Sequence, residues 1–172
     1  MPGWLPLSLL VLALAAASHA YAQQVERIEI VEWGLFRHDV QAQMDSPESP
    51  SGAKKLVDNV RLQQATTTVP ALVGMKFGIR FKIVGSPPGT PVVLKVVFRF
   101  PSQGLTNPAK GKTYSDYESH SNAVVGEVTY RGYGLDYDWE VETGPWTLEV
   151  WHQGRKLAEK TFMVTRLVSS AE

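Results

Sequence analysis

The apolar residues of this chain recur at every second position, not at every third or fourth. In KFGIRFKIVG, the residues Phe77, Ile79, Phe81 and Ile83 alternate with glycine or basic residues. A period of two places one set of side chains on one face of a β-strand. The same period holds in VERIEIVEWGLF, VVLKVVFRF, AVVGEVTYRGYG and PWTLEVW. The pattern therefore predicts an all-β protein.

Clusters of turn-forming residues separate these strands. SPPGTP divides two of them, and HQGR closes a final hairpin whose returning strand is KLAEKTFMV. Leu157 and Phe162 have opposite parity in that strand, so we expect a β-bulge between them. We predict that residues 23–172 form a single immunoglobulin-like antiparallel β-sandwich of seven to nine strands. The chain has no Cys, so the sandwich is predicted to fold without a disulfide.

Residues 1–22 have the character of a secretory signal peptide. LPLSLLVLALAAA is an apolar run that is short for a membrane span, and SHAYAQ follows it. Ala20 and Ala22 satisfy the small-residue rule, which predicts cleavage between Ala22 and Gln23. Because MPGW carries no Lys or Arg, an uncleaved N-terminal anchor is the alternative. With cleavage, we expect a periplasmic or secreted protein without a remaining membrane span.

The charge balance argues against polyanionic partners. Lys and Arg together number 17, as do Asp and Glu. A nucleic-acid-binding domain should carry a basic excess on at least one face, and the densest basic stretch here is only KGK at residues 110–112. We therefore expect no nucleic-acid partner and no anionic membrane surface as a partner.

The usual motifs of metal, cofactor and nucleophilic chemistry are not found. His38, His120 and His152 lie on three different predicted elements and lack the spacing of zinc ligands. No GxSxG motif occurs, and GLTNPAKGKT has Thr106 where a phosphate-binding loop has its first glycine. We expect no metal, no cofactor and no enzymatic activity.

The acidic residues of LDYDWEVETG are the best candidates for chemistry. Asp136, Asp138 and Glu140 alternate, so on a strand they would share one face at intervals of about 7 Å. Such carboxylates could hydrolyse a glycoside or bind Ca²⁺. One alternative is a solvated row, with Tyr137 and Trp139 facing the core. Another is that Glu140 accepts hydrogen bonds from backbone N–H groups at the corner before GPW.

Aromatic residues near predicted loops suggest a binding surface. Trp146 and Trp139 are expected in the core, whereas Trp151 has the opposite parity to Trp146 and would mark a contact surface if exposed. Tyrosines beside loops bury much area at low entropic cost. The candidate interaction surface consists of Tyr114, Tyr117, Tyr133 and Trp151. A carbohydrate-type ligand bound by these aromatics is an alternative to a protein partner.

Residues 42–55, AQMDSPESPSGAKK, interrupt the strand pattern. Two Ser-Pro steps, a glycine and several charges predict an exposed, mobile loop that is open to proteases. Its role, including ordering on binding, is left open by the sequence.

Three stretches occur together, in this order, in a known bacterial family. They are IEIVEWGLF, TVPALVGMKFGIRFKIVGSPPGTPVVLKVVFRFPSQGLTNPAKGKTY and DWEVETGPWTLEVWHQGRKLAEKTFMV. In these stretches the chain resembles the domain of unknown function 3859 family. The resemblance implies an immunoglobulin-like fold and export from the cytoplasm, and it implies no activity. We predict a non-enzymatic module that interacts with a protein or another envelope component, with a monomer as its simplest state.

Overall fold

The computed structural model describes residues 24–166, which form two β-sheets, a small separate hairpin and one 3-10 turn, Asp138–Glu140. Eight of the strands have seven residues or more, in agreement with the predicted seven to nine, and three further strands have three residues each. The strands are β1 (Gln24–Asp45), β2 (Ala53–Gln64), β3 (Thr68–Pro70), β4 (Lys76–Ser86), β5 (Pro91–Arg99), β6 (Leu105–Asn107), β7 (Lys112–Tyr114), β8 (Asp116–Val124), β9 (Val128–Gly134), β10 (Gly144–His152) and β11 (Arg155–Thr165).

The two sheets have simple strand orders. The first sheet runs β2-β1-β4-β9, the second runs β3-β11-β10-β5-β8, and β6 pairs with β7 alone. Neighbouring strands are antiparallel except for β3 and β11, which run parallel over three residue pairs. The predicted antiparallel β-sandwich is therefore confirmed. Within residues 24–166, no helix has the length and apolar character needed to cross a bilayer.

The core lies between the sheets and follows the alternation of the sequence. Trp146 is 0% exposed, as predicted, and its indole nitrogen donates a hydrogen bond to the backbone oxygen of Glu142 at 2.9 Å. Phe100 meets the Trp146 ring nearly edge-on, with the ring centroids 5.0 Å apart. The β4 residues that were predicted to share the inner face are all buried: Phe77, Ile79, Phe81 and Ile83.

Strand β1 pairs with two different strands along its length. From Gln24 to Leu35 it pairs with β4, and from Leu35 to Asp45 it pairs with β2. We call residues 35–45, residues 53–64 and the turn between them the arm. Gly34 stands where the arm begins, with a φ of +143°, and a Cβ there would lie 1.9 Å from the backbone oxygen of Gln64. A glycine inside a strand pattern indicates a bulge or a close backbone approach, and the structure has such an approach here.

The arm packs against the sandwich instead of projecting from it. Arg80 of β4 donates a hydrogen bond to the backbone oxygen of Val60 at 2.8 Å. Lys54 donates one to the backbone oxygen of His120 on β8 at 3.2 Å. The arm therefore crosses from the β1 side of the molecule to its β8 side.

The turn of the arm is fixed by the β6–β7 hairpin and the residues beside it. Asn107 donates a hydrogen bond to the backbone oxygen of Pro50 at 2.7 Å, and Lys110 donates to that of Ser49 at 2.9 Å. Ser49 and Pro50 are buried. The prediction of a loop over residues 42–55 is wrong at both ends, which extend β1 and β2, and the turn between them is held by distant polar side chains. Seven of these fourteen residues are exposed, so the predicted exposure is correct in part.

The predicted signal peptide and its cleavage site between Ala22 and Gln23 lie outside the described residues, as do residues 167–172.

Candidate ligand cavity

A cavity of about 740 Å³ lies between the arm and strands β5, β8 and β9. This volume is within the range of about 300–1,000 Å³ that is usual for small-molecule sites. The arm contributes residues of β1 and β2, and β9 contributes an unbroken run from Val128 to Gly134. Four apolar or aromatic lining residues are well exposed and mark the mouth of the cavity: Met44 (51%), Leu56 (56%), Val128 (54%) and Tyr137 (47%).

The sequence of β8 explains why space remains between the sheets here. Ser119 and Ser121 are directly opposite Val96 and Leu94 of β5, whose side chains are buried in the core. Cross-strand partners present their side chains on the same face of a sheet. Two small serines therefore occupy inward positions where a sandwich normally places large apolar residues, and the volume they leave adjoins the arm.

Arg131 of β9 enters this space with neutral partners only. Its guanidinium donates hydrogen bonds to the hydroxyl oxygen of Thr129 at 2.9 Å, to that of Ser121, and to the backbone oxygens of Tyr130 and Asn122. Burial lowers the pKa of Arg131 from its ordinary value. No carboxylate of the described residues forms a salt bridge with Arg131 at 4.0 Å or less.

Several buried polar atoms beside the cavity find no hydrogen-bond partner within the described part of the protein. They are Nδ1 of His38, the hydroxyl oxygen of Tyr130 and Nε of Arg131. Burial lowers the pKa of His38, and the positive charges of Lys76 and then Lys55 lower it further. Buried polar groups are nearly always paired in folded proteins, so this concentration distinguishes the cavity from the rest of the interior.

Glu140 forms one corner of the cavity and is 1% exposed. Its carboxylate accepts hydrogen bonds from the Tyr133 hydroxyl at 2.8 Å and from the backbone N–H groups of Asp136 and Tyr137 at 2.8 and 3.2 Å. Burial raises the pKa of Glu140, although these three hydrogen bonds act in the opposite direction. The interpretation of Glu140 as an acceptor of backbone N–H groups is confirmed.

The other two acidic candidates do not join Glu140 on one face. Asp136 forms an ion pair with Lys55 of the arm at 2.6 Å, while Asp138 is exposed. The prediction of a strand with three carboxylates on one side is wrong, because Glu140 satisfies local N–H groups and the chain turns there in a 3-10 conformation. The expected inward position of Tyr137 is also wrong, since that ring is exposed and stacks on Trp139 at 5.6 Å.

Only part of the predicted aromatic surface comes together. Tyr117 and Tyr133 line the cavity and are half-buried. Tyr114 is only 6% exposed, so the prediction of a free loop aromatic is wrong for this residue, which packs in the core. Trp151 is half-buried, donates a hydrogen bond to Glu149 at 2.8 Å, and does not line the cavity.

The histidines lie apart. His38 is at the cavity, His120 is exposed, and buried His152 contacts the backbone oxygen of Val93 through Nδ1 at 3.1 Å. Among residues 24–166, no three His, Asp or Glu side chains converge as a metal ion would require.

The residues that line the cavity most distinctively, Arg131 and Tyr130, were not candidates in the sequence. The sequence SHSNA contains the serines of β8. Recognising that they occupy inward-facing positions of a strand could have identified the cavity.

Replacing Tyr133 by phenylalanine tests the buried contact with Glu140. Tyr133→Phe removes the hydroxyl donor and is expected to lower the free energy of unfolding by about 1–3 kcal/mol at neutral pH. Because that hydrogen bond lowers the pKa of Glu140, its loss should raise the pKa further and cost more at pH 7 than at pH 4. Urea unfolding at both pH values measures this. Tyr117→Phe is the control, since that hydroxyl has only a 3.5 Å contact with Ser46; equal losses would contradict the prediction.

Comparisons with known proteins are consistent with this architecture. The sequence model of a family described as "Domain of unknown function (DUF3859)" matches residues 24–164. A crystal structure of an immunoglobulin-like protein from Pseudomonas aeruginosa is similar, with 27% sequence identity and a TM-score of 0.56. That match covers 80% of this chain and 96% of the other. No curated protein matches the chain. The predicted immunoglobulin-like fold is confirmed.

Proposed function

The chain belongs to the DUF3859 family, and from this starting point we propose that it is a non-enzymatic binding module whose site is the cavity beneath the arm. The observation that carries the proposal is the cavity itself, about 740 Å³ in volume and bordered by buried polar atoms without partners. Concave sites with a mainly apolar lining and a few convergent polar groups are typical of ligand binding. Of the three acidic candidates for a hydrolase, Asp138 is exposed, while Asp136 is paired with Lys55 and Glu140 accepts three hydrogen bonds, so we favour binding over hydrolysis.

The module is proposed to act in the periplasm or outside the cell. Support for this location comes from residues 1–22, whose apolar run and small-residue cleavage pattern are typical of a signal peptide. The ligand is accordingly proposed to be an envelope component. A carbohydrate-type ligand is the second candidate, favoured by the rings of Tyr117 and Tyr133 at the cavity.

A small ligand or a compact group of a larger envelope component suits this site better than a flat protein interface does. Stable protein interfaces bury about 800 Å² on each partner, and two of the four predicted aromatic contacts, Tyr114 and Trp151, lie away from the cavity. We therefore keep the hypothesis that the protein interacts with an envelope component. We propose the cavity, and not the four predicted aromatic residues, as the binding site.

Filling the cavity tests the proposal. The neutral fluorescent probe N-phenyl-1-naphthylamine should bind the wild-type protein saturably, because apolar and aromatic side chains such as Leu56, Phe98 and Tyr117 form part of the lining. Ser119→Trp places a large ring at an inward position and should weaken binding by about ten-fold or more, since a ligand and a filled cavity exclude each other. Glu118→Trp, one residue away and exposed, is the matched control.

Fluorescence titration with both variants decides the outcome, and thermal melting confirms that each is folded. Loss of binding in Ser119→Trp alone supports the cavity as the site. Equal binding by all three proteins, or no saturable binding by the wild type, would contradict the proposal.

A further inference from the structure

The cavity carries an excess of positive charge, although the chain as a whole is neutral. Among residues 24–166, only two carboxylates line it, those of Asp136 and Glu140. Its cationic lining residues outnumber them and come from the arm, β4 and β9: Lys54, Lys55, Lys76, Arg80 and Arg131. This excess of positive charge is confined to the cavity, which the side chains of the protein do not fill.

Two of these cations are already neutralised by carboxylates. Lys55 pairs with Asp136 at 2.6 Å, and Arg80 pairs with Glu32 at 3.0 Å. Lys54 is engaged by the backbone oxygen of His120. Lys76 and Arg131 have no ion pair among the described residues within 4.0 Å. Together with Lys54, whose partner is a neutral oxygen, these two side chains are the source of the uncompensated charge.

Arg131 is the better placed of the two for direct recognition. Four hydrogen bonds to neutral oxygens hold its guanidinium in one orientation, while its Nε has no partner within the protein. Removing a charge from water without a counter-charge is costly. Guanidinium groups recognise carboxylate, sulfonate and phosphate oxygens with directional hydrogen bonds. An anion that replaces one of these neutral acceptors would supply the missing counter-charge.

The positive charge of Lys76 would also attract an anion bound at Arg131. It lies close enough to His38 that its positive charge lowers the pKa of that imidazole, after burial and ahead of the contribution from Lys55. His38, Lys76 and Arg131 all line the same cavity. An anionic group bound there therefore meets a positive potential from several directions.

The mouth of the cavity has the opposite character. Met44, Leu56 and Val128 are each about half exposed, and all three line the cavity. Exposed apolar side chains that adjoin a cavity favour a ligand with an apolar body. The space thus has a cationic interior and an apolar entrance.

We propose that the cavity binds a small amphipathic organic anion, with the anionic group at Arg131 and the apolar body against Met44, Leu56 and Val128. This inference rests on the proposed binding function of the cavity and specifies the chemistry of its ligand. A carboxylate, sulfonate or phosphate ester would satisfy the same contacts.

Two probes that differ by one anionic group test the inference. The sulfonate 8-anilino-1-naphthalenesulfonate has the same ring system as neutral N-phenyl-1-naphthylamine. The wild type is expected to bind the sulfonate about ten- to one-hundred-fold more tightly, because hydrogen bonds to a charged group contribute that much to binding. Arg131→Gln should remove most of this preference, measured as the ratio of the two affinities in the same variant.

Matched variants separate a specific contact from general charge. Arg61→Gln removes the same charge from an exposed position of the arm that does not line the cavity, and it should keep the preference. Lys76→Gln should reduce the preference in part, and it serves as the second variant if Arg131→Gln does not fold. Titrations at low and physiological salt measure the affinities.

The outcomes distinguish this inference from the proposed function. Saturable binding of the neutral probe together with no preference for the sulfonate would overturn the anion inference and leave the binding module intact. A preference that survives in both Arg131→Gln and Lys76→Gln, or that is lost equally in Arg61→Gln, would also overturn it. Failure of both probes to bind the wild type would overturn the proposed function as well.

Discussion

Gly34→Ala is expected to destabilise the protein by about 3 kcal/mol or more, combining the overpacking cost of about 1–3 kcal/mol with a backbone cost of about 1–2 kcal/mol. The new methyl group would lie 1.9 Å from the backbone oxygen of Gln64 and 3.0 Å from the nitrogen of Thr66. Backbone atoms of a neighbouring chain segment cannot rotate away as a flexible side chain can. The strand would have to move, and with it the start of the arm.

A second glycine separates the steric effect from the backbone effect. Gly89 has a φ of +80°, and a Cβ there would meet nothing within 4 Å. Gly89→Ala should therefore cost only about 1–2 kcal/mol, the cost of the conformation alone. Urea unfolding of both variants measures the difference. Similar free energies of unfolding for the two variants would show that Gln64 of β2 does not lie as close to Gly34 as described.

Replacement of Glu140 by alanine is expected to be equally severe, at about 3 kcal/mol or more, since one truncation leaves three partly buried donors without an acceptor at about 1–3 kcal/mol each. The donors are the Tyr133 hydroxyl and the N–H groups of Asp136 and Tyr137. Asp138→Ala, in the same 3-10 turn but exposed, should change the free energy of unfolding by less than about 0.5 kcal/mol. Equal effects would contradict a structural role for Glu140.

The pH dependence of this difference follows from the raised pKa of Glu140. A carboxyl whose pKa is higher in the folded state favours folding when it is protonated. Its contribution is complete below the ordinary pKa of 4.5 and is lost as pH rises through the raised folded-state value. The gap between wild type and Glu140→Ala should thus be larger at pH 4 than at pH 7. A gap that grows with pH instead would exclude this account.

The period-two pattern was sufficient to predict the sandwich but not the arm. Alternation correctly identified the inner face of β4 and the burial of Trp146. The predicted bulge in β11 occurs at Leu157, which has no partner between Lys156 and Ala158. These features depend on neighbours in the same strand or hairpin, so local sequence contains the information.

The arm and its cavity depend on contacts between residues far apart in the chain. Residues 42–55 have the composition of a loop, and nothing within them shows that Asn107 and Lys110 will bind their carbonyls. The conformation of Asp136, Asp138 and Glu140 was predicted wrongly for a related reason. A turn gives these carboxylates hydrogen-bond partners that a strand does not, and the local sequence does not distinguish the two conformations. The inward serines of β8 were visible in the sequence, but their significance required knowing that the arm lies beside them.

The separation of these contacts along the chain also bears on the order in which the molecule folds. Asn107 and Pro50 are 57 residues apart, and Lys55 and Asp136 are 81 apart. Contacts of such long range form slowly, because ordering of the intervening chain must come first. We therefore expect the β1–β2 hairpin, whose pairing is local, to form before its turn and Lys55 dock on Asn107 and Asp136, so a newly made chain becomes competent for binding only late in folding.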